Sequence, residues 1–272
     1  MLYKRVFVVV VLLPIFLPLI ILGGYYFAAA IMLIMTLAAW EYVKVMRTSG
    51  YQASVYVILP AVIALSLGRA WDGFESAPAI LSLAFLAAMT YHLFAFERGR
   101  DLAATDMGVT LGGVLYLGWI GAYLISLRDL PDGAFWLMLC LLTVWLADSG
   151  AYFIGKRWGK HSLSPRLSPK KTWEGFWAGL AAGVIGGTLL GWGLGAWAGP
   201  QSGITPLVGL VLGLALSILT PLGDLGESMI KRQAGVKDSS NLLPGHGGVL
   251  DRIDSWLWAA VISYYLITWF FI

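Results

Sequence analysis

Charge is what this sequence has least of. Only 12% of its 272 residues are Asp, Glu, Lys or Arg, against roughly a quarter in soluble domains, so it has too little polar surface to solvate a globule. Soluble folds are excluded. Cysteine is reduced to Cys140, inside an apolar run, which rules out a disulfide framework and makes it a small buried apolar residue. No Cys and His cluster offers a zinc site, and no Walker A pattern supports a P-loop ATPase. What fills the chain instead is hydrophobic: 59% of residues, with a mean hydropathy of +0.79. The apolar residues come in runs of roughly 17 to 23, the length that crosses hydrocarbon as a helix.

These runs predict an all-α polytopic membrane protein with about nine spans, at 6–22, 25–42, 53–68, 77–96, 106–127, 133–153, 175–198, 204–222 and 255–272. The first reads as a retained helix rather than a cleaved signal peptide, and after Gly23-Gly24 a second span follows at once as a helical hairpin. With the N-terminus in the cytoplasm, all of the 18 lysines and arginines except Arg69 and Arg128 fall on cytoplasmic segments, as the positive-inside rule requires. The formal net charge of +3 therefore reflects basic loops and calls for no nucleic acid. The chain divides by content at about residue 130. Residues 1–130 carry no constellation that suggests chemistry, and His92 reads as a satisfied or interfacial histidine; residues 131–272 carry the motifs.

Asp148, in Trp145-Leu-Ala-Asp148-Ser149-Gly150, lies inside or at the edge of the sixth span, where burying a charge costs about 2.5 to 3.5 kcal/mol. Such an acid is a candidate functional group; a helix-locking hydrogen bond or ion pair is the plainer reading. The loop that follows holds six cations, and its Ser168-Pro169 reads as an N-cap with proline at the first helical position. Free amides there, beside Lys170 and Lys171, would suit phosphate oxygens, unless the loop simply touches anionic headgroups. In the seventh span Gly175, Gly179, Gly183, Gly187, Gly191, Gly195 and Gly199 recur every fourth residue. That stripe predicts close helix packing, within the chain or across a homodimer through 175–199.

The stretch from Asp224 to Asp254 is the least apolar of all, with nine charged side chains: Asp224, Glu227, Lys231, Arg232, Lys237, Asp238, Asp251, Arg252 and Asp254. Continued as a helix, Asp224, Glu227, Ser228 and Lys231 line one face. Gly245-His246-Gly247-Gly248 gives backbone freedom and close approach. Asp251 and Asp254 open the last helix, either matching its macrodipole or serving as oxygen ligands for Mg²⁺. Clustered carboxylates, clustered cations and glycine-rich backbone on one membrane face are the requirements of phosphoryl or nucleotidyl transfer, where anionic reactants must be brought together. A transporter binding an ion at Asp148 and Asp224 would account for the acids. It would not account for the two polar loops.

The run Ser228-x-x-Lys231-Arg232-x₄-Lys237-Asp238-x-Ser240-x₂-Leu243-Pro244-x-His246-Gly247-Gly248-Val249-x-Asp251-Arg252-Ile253-Asp254 resembles, without departure, the signature of the phosphatidate cytidylyltransferases, or CDP-diacylglycerol synthases. Asp148-Ser-Gly-Ala-Tyr152 and Ser168-Pro-Lys170-Lys171-Thr172-x-Glu174-Gly175 are similar to other segments of that family, so the match covers the C-terminal half. The resemblance implies transfer of the cytidylyl group of CTP to phosphatidic acid, with Mg²⁺ as cofactor and membrane lipid around the site. A related enzyme acting on another lipid, such as an isoprenoid alcohol or its phosphate, stays open.

By the same resemblance Lys231, Asp224 and Asp251 would be catalytic. Asp224, Asp251 and Asp254 would hold the metal, with Asp148 joining its shell or orienting Lys231. Ser168, Lys170, Lys171, Lys237 and Arg252 would contact phosphates of CTP or lipid, with Thr172, Glu174, Ser228 and Arg232 among the substrate contacts. His246 would shape its loop or bind nucleotide rather than act as a base. The expected location is a bacterial cytoplasmic membrane, with the site on the cytoplasmic side.

Overall fold

The computed structural model describes Pro14, residues 16–242 and residues 247–272. Most of the expected 6–22 span lies outside the described residues, as does His246. Residues 16–22 are helical, and Gly23 and Gly24 both take positive φ at the break before the next helix, a conformation open to glycine at no steric cost.

The elements then run α1 (Gly24–Thr48), α2 (Val55–Asp72), α3 (Ala77–Glu97), α4 (Ala103–Gly113), a π-helical turn (Val114–Trp119) and α5 (Tyr123–Asp129). They continue with α6 (Gly133–Trp158), β1 (Ser162–Ser164), β2 (Ser168–Thr172), α7 (Trp173–Ala198), α8 (Pro206–Gln233) and α9 (Leu250–Phe270). Seven helical stretches among the described residues are long and apolar enough to cross a membrane: α1, α2, α3, the run Ala103–Asp129, α6, α7 and α8. Helix α9 falls outside that group, its aromatic residues and Asp254 holding its hydropathy down. Large apolar side chains such as Leu33, Leu83, Trp177 and Trp192 stay exposed on the helix surfaces, as hydrocarbon contact requires.

The architecture departs from all-helical in one place. Ser162–Ser164 and Ser168–Thr172 pair antiparallel, with Ser162 opposite Thr172 and Ser164 opposite Ser168. The expected helix start at Ser168-Pro169 is therefore corrected. A residue before proline is biased to extended backbone, and Ser168 takes that state in the ladder. The cap falls four residues later: Thr172 is extended, and its hydroxyl accepts the Gly175 amide at 3.2 Å, the N-cap geometry that satisfies a first-turn donor.

The chain forms two compact units. One comprises the described residues up to Ser126 together with Ile230–Ile253; the other comprises Leu127–Met229 and Asp254–Ile272. In the first, Ile31, Met35, Ile58, Leu65, Leu117 and Leu124 are fully buried. Gly113 lets α4 meet α1 and α2, since a Cβ there would stand 2.8 Å from Tyr42 and 2.9 Å from Ile58. Several polar groups in this core are paired. Asp106 takes the Arg100 guanidinium at 2.7 Å and the Gln52 amide at 2.9 Å, while buried His92 shares a 2.9 Å hydrogen bond with Thr110 through Nε2.

In the second unit the glycine stripe is spent inside the chain. A Cβ on Gly175 or Gly179 would press on the carbonyls of Ala151 and Ala147 in α6, and one on Gly187 or Gly191 would meet those of Gly209 and Thr205. Gly175, Gly179, Gly183, Gly187 and Gly191 are buried between α6 and α8. Of the two expected uses of the stripe, packing within the chain is the one these five glycines serve. Gly187→Leu should lower the melting temperature in detergent by on the order of 5–10 °C, the cost of overpacking a few kcal/mol. Gly193→Leu, whose Cβ would meet nothing within 4 Å, should stay within about 2 °C. Equal shifts would remove the packing account.

Candidate active site

The first unit holds the more enclosed of two charged clusters. Lys231, near the end of α8, places Nζ 2.6 Å from Asp251 Oδ1, and the two side chains keep only 12% and 4% of their surface. The other oxygen, Oδ2, accepts the Gly248 amide at 2.7 Å, the Ser239 amide at 2.9 Å and the Ser239 hydroxyl at 2.9 Å. Such a pair cannot stretch or swing without exposing buried donors, so the ammonium has one position.

Glycines make this approach possible. Gly247 has φ +82°, and a Cβ on it would lie 2.6 Å from Asp251 Oδ2; one on Gly248 would collide with the Ser239 hydroxyl and the Glu41 carboxylate. Lys237, Arg232 and Arg252 are exposed around the cluster. Arg232 donates to the Val236 carbonyl at 3.3 Å, closing the turn after α8.

Glu41 was not among the residues the sequence singled out. It lies on α1 with no exposed surface, and its carboxylate accepts from Ser239, Ser240, Val249 and Leu250. A signal for it exists: an acid inside an apolar span is as informative at position 41 as at position 148.

The second unit holds the other cluster. Lys171, on β2, places Nζ 2.6 Å from Asp224 Oδ2, with about a third of each side chain open to solvent. The Ser228 hydroxyl donates to Asp224 Oδ1 at 3.3 Å, one turn along α8. Asp148 is exposed on α6 and interacts electrostatically with both Lys171 and Asp224. Gly223 packs on the Asp254 carbonyl, where a Cβ would stand 2.8 Å away, so Asp254 belongs to this neighbourhood; its Oδ1 accepts the Ser255 amide at 2.7 Å.

The β-hairpin carries Lys170 exposed in the middle of β2 and Ser168 half-buried at its tip end, opposite Ser164. Glu174 fastens the base of the hairpin: its oxygens take His161 Nδ1 at 2.6 Å and the amides of Lys160 and His161 at 3.1 and 3.3 Å. Thr172 and Glu174 thus hold the loop, with Lys170 exposed on it and Lys171 turned to Asp224.

Among the described residues no three Asp, Glu, His or Cys side chains converge as a metal cluster. Mg²⁺ does not require one, since it is commonly held by one or two carboxylates with water and phosphate oxygens completing its shell. Asp148 and Asp224, oxygen donors with mutual electrostatic influence and the Lys171 ammonium as shared counter-charge, fit that pattern. Both oxygens of Asp251 are engaged by protein donors, as are both of Asp224, but the Asp251 side chain is nearly closed to solvent whereas that of Asp224 is about a third open.

The chemistry of the two clusters is that of anion handling: fixed ammonium groups, acids that hold them, and backbone amides in a glycine loop. The whole chain also matches known proteins. It is 40% identical to the phosphatidate cytidylyltransferase of Pseudomonas aeruginosa over 99% of this chain and 97% of that one. It is 34% identical to that of Synechocystis sp. over 97% and 96%, and 33% identical to that of Bacillus subtilis over 71% and 66%. The model of the cytidylyltransferase family matches residues 3–270. The chain belongs to the cytidylyltransferase family, a family of nucleotidyltransferases.

Proposed function

We propose that the protein transfers the cytidylyl group of CTP to phosphatidic acid, forming CDP-diacylglycerol and pyrophosphate, on the cytoplasmic side of a bacterial cytoplasmic membrane. The observation that carries this reading is the buried Lys231–Asp251 pair, fixed by the Gly248 amide and Ser239 within the segment that resembles the phosphatidate cytidylyltransferase signature. The near full-length likeness to relatives of that name supports it.

The reaction asks little covalent work of the protein. A phosphate monoester has its second pKa near 6 and so is mostly dianionic at neutral pH; one of its oxygens attacks the α-phosphorus of CTP. A new P–O bond forms there as the bond from the α-phosphorus to the bridging oxygen of the β-phosphate breaks, and that oxygen leaves with pyrophosphate. No proton need be removed from the nucleophile. The difficulty is electrostatic, because two polyanions must meet and charge must be held on the equatorial oxygens.

Lys231 would contact those oxygens, kept in place by Asp251. Lys170 and Lys171 on the hairpin, with Ser168, would bind the outer phosphates of CTP or the lipid phosphate; Lys237 and Arg252 would add to the positive field. Mg²⁺, when bound, would be held by Asp224 and Asp148 near Asp254, and would supply charge neutralisation at phosphate oxygens. The apolar helix faces leave the two acyl chains in lipid.

Purified protein in detergent, supplied with CTP, phosphatidic acid and Mg²⁺ and with each omitted in turn, tests the reading. Pyrophosphate release should require all three and should prefer CTP to ATP. Release without phosphatidic acid, or equal rates with an isoprenoid phosphate, would reassign the acceptor. No release from folded protein with any nucleotide would overturn the reading.

A further inference from the structure

We infer that Glu41, on α1, is a positioning residue for the reaction: it fixes residues 239–240 and 249–250, beside which Asp251 holds Lys231. Each carboxylate oxygen takes one hydroxyl and one backbone amide. Oε1 accepts Ser240 Oγ at 2.6 Å and the Val249 amide at 3.1 Å; Oε2 accepts Ser239 Oγ at 3.1 Å and the Leu250 amide at 2.8 Å. Leu250 opens α9, and the first amides of a helix have no partner inside it. Glu41 therefore caps α9 from a different helix, with negative charge at the positive end of the helix dipole.

The cap leads directly to the catalytic pair. Ser239 Oγ lies 3.1 Å from Glu41 Oε2 and 2.9 Å from Asp251 Oδ2, and a serine hydroxyl has only one proton to donate. One serine thus stands between the two carboxylates, its proton serving one of them at a time, while the Ser239 amide donates to Asp251 throughout. The sequence of contacts is Glu41, Ser239, Asp251, Lys231, with Gly248 lacking the Cβ that would break it. A buried carboxylate that faces the Ser240 hydroxyl, two backbone amides and a Ser239 hydroxyl shared with Asp251 is needed here for its acceptor positions. An amide side chain supplies one acceptor oxygen and turns two new donors toward groups that are themselves donors. Glu41 has no exposed surface with which to touch substrate; its influence is on where Asp251 and Lys231 sit.

The activity arm of the test rests on the cytidylyl-transfer reading, and the exchange arm does not. In purified full-length protein, Glu41→Gln should lower kcat by on the order of 100-fold, the loss expected for displacement of a catalytic group by about 1 Å. KM for CTP should change by less than about threefold, as for an interaction made in the transition state. Hydrogen–deuterium exchange should quicken at least about tenfold in peptides covering 239–250, with the rest of the bundle unchanged. Ser240→Ala, which removes one donor to Glu41 and leaves both amides, should give the same pattern in weaker form, and it serves if Glu41→Gln does not accumulate in the membrane. Glu41→Gln and Ser239→Ala should combine less than additively, because both act through one contact sequence.

Normal exchange in 239–250 together with kcat within about threefold of wild type would overturn the inference. So would a loss of activity that tracks loss of folded protein with kcat per folded molecule unchanged. If wild-type protein makes no product from CTP and phosphatidic acid, the reaction reading fails while the exchange pattern still decides whether Glu41 fixes these residues.

Discussion

Lys231→Ala should lower the rate of CDP-diacylglycerol formation by on the order of 10³-fold, the scale seen when a preorganised charge or donor at a reacting centre is removed. Lys44→Ala should leave it within about twofold. Both residues are lysines on helices at the cytoplasmic side of the proposed topology, so the comparison separates local chemistry from topology. Lys44 is exposed and rests over the Trp40 ring, 3.3 Å from its centroid; nothing else in the cluster depends on it. Lys231 is enclosed, and its ammonium is the counter-charge of an Asp251 side chain that is only 4% exposed.

Removing the lysine leaves that carboxylate buried without its cation, a situation that costs about 3 to 5 kcal/mol when one partner of a buried pair is deleted. Part of the activity loss would therefore come from a loop that relaxes. Lys231→Arg separates the two contributions: it keeps the charge and the pairing but cannot place a single ammonium at the same point. Its folding should be near normal and its turnover still reduced by about 10²-fold. Equal, small effects of Lys231→Ala and Lys44→Ala would reduce the whole basic cluster to a determinant of orientation.

The parts of this molecule that the sequence made legible are those set by periodicity and by composition. Apolar run length placed the starts of the spans from α1 to α8 within about three residues, because a helix crossing hydrocarbon has little choice of length, whereas α1, α6 and α8 continue past the apolar run to Thr48, Trp158 and Gln233. Gly247 and Gly248 could be read as positions of close approach, and both stand against carboxylates. The recurrence of glycine along α7 announced tight packing, and Gly209 and Gly213 in the eighth span were legible as a surface for it, which they supply on α8; the carbonyls of α6, which cover the start of the stripe, were not in the pattern.

Two failures have distinct physical origins. Ser168-Pro169 carries a helix-start signal and an extended-chain signal together, and the hairpin ladder decides between them. Glu41 was passed over because its partners are far away in sequence, 198 positions for Ser239 and 209 for Leu250. No local motif surrounds it. An acid within a span invites the question of what satisfies it, and at position 41 the answer leads from the motif-poor helices to the segment beside the Lys231–Asp251 pair. The boundary near residue 130 hides the same relation, because Ile230–Ile253 is compact with the helices before Ser126.

Asp251→Asn should abolish measurable turnover, a fall of on the order of 10³-fold or more, while the protein remains folded in the membrane. The carboxylate now serves Lys231 with one oxygen and three donors from Gly248 and Ser239 with the other. Asparagine has a single acceptor oxygen and an NH₂ group. If the oxygen turns to Lys231, the NH₂ faces two backbone amides; if it turns to the amides, the NH₂ faces an ammonium. Either way buried donors lose their acceptor, at about 1 to 3 kcal/mol each. The site cannot relax by taking in bulk, because Gly248 and Glu41 close it from one side.

The helices around the loop keep their apolar cores, so the melting temperature should fall by only a few degrees while kcat collapses. Asp238→Asn is the matched control, an exposed acid in the same loop, and should retain activity within about threefold. Turnover by Asp251→Asn within tenfold of wild type would show that the negative charge is dispensable. Lys231 would then need another anchor, and the assignment of this pair as the centre of the reaction would fall.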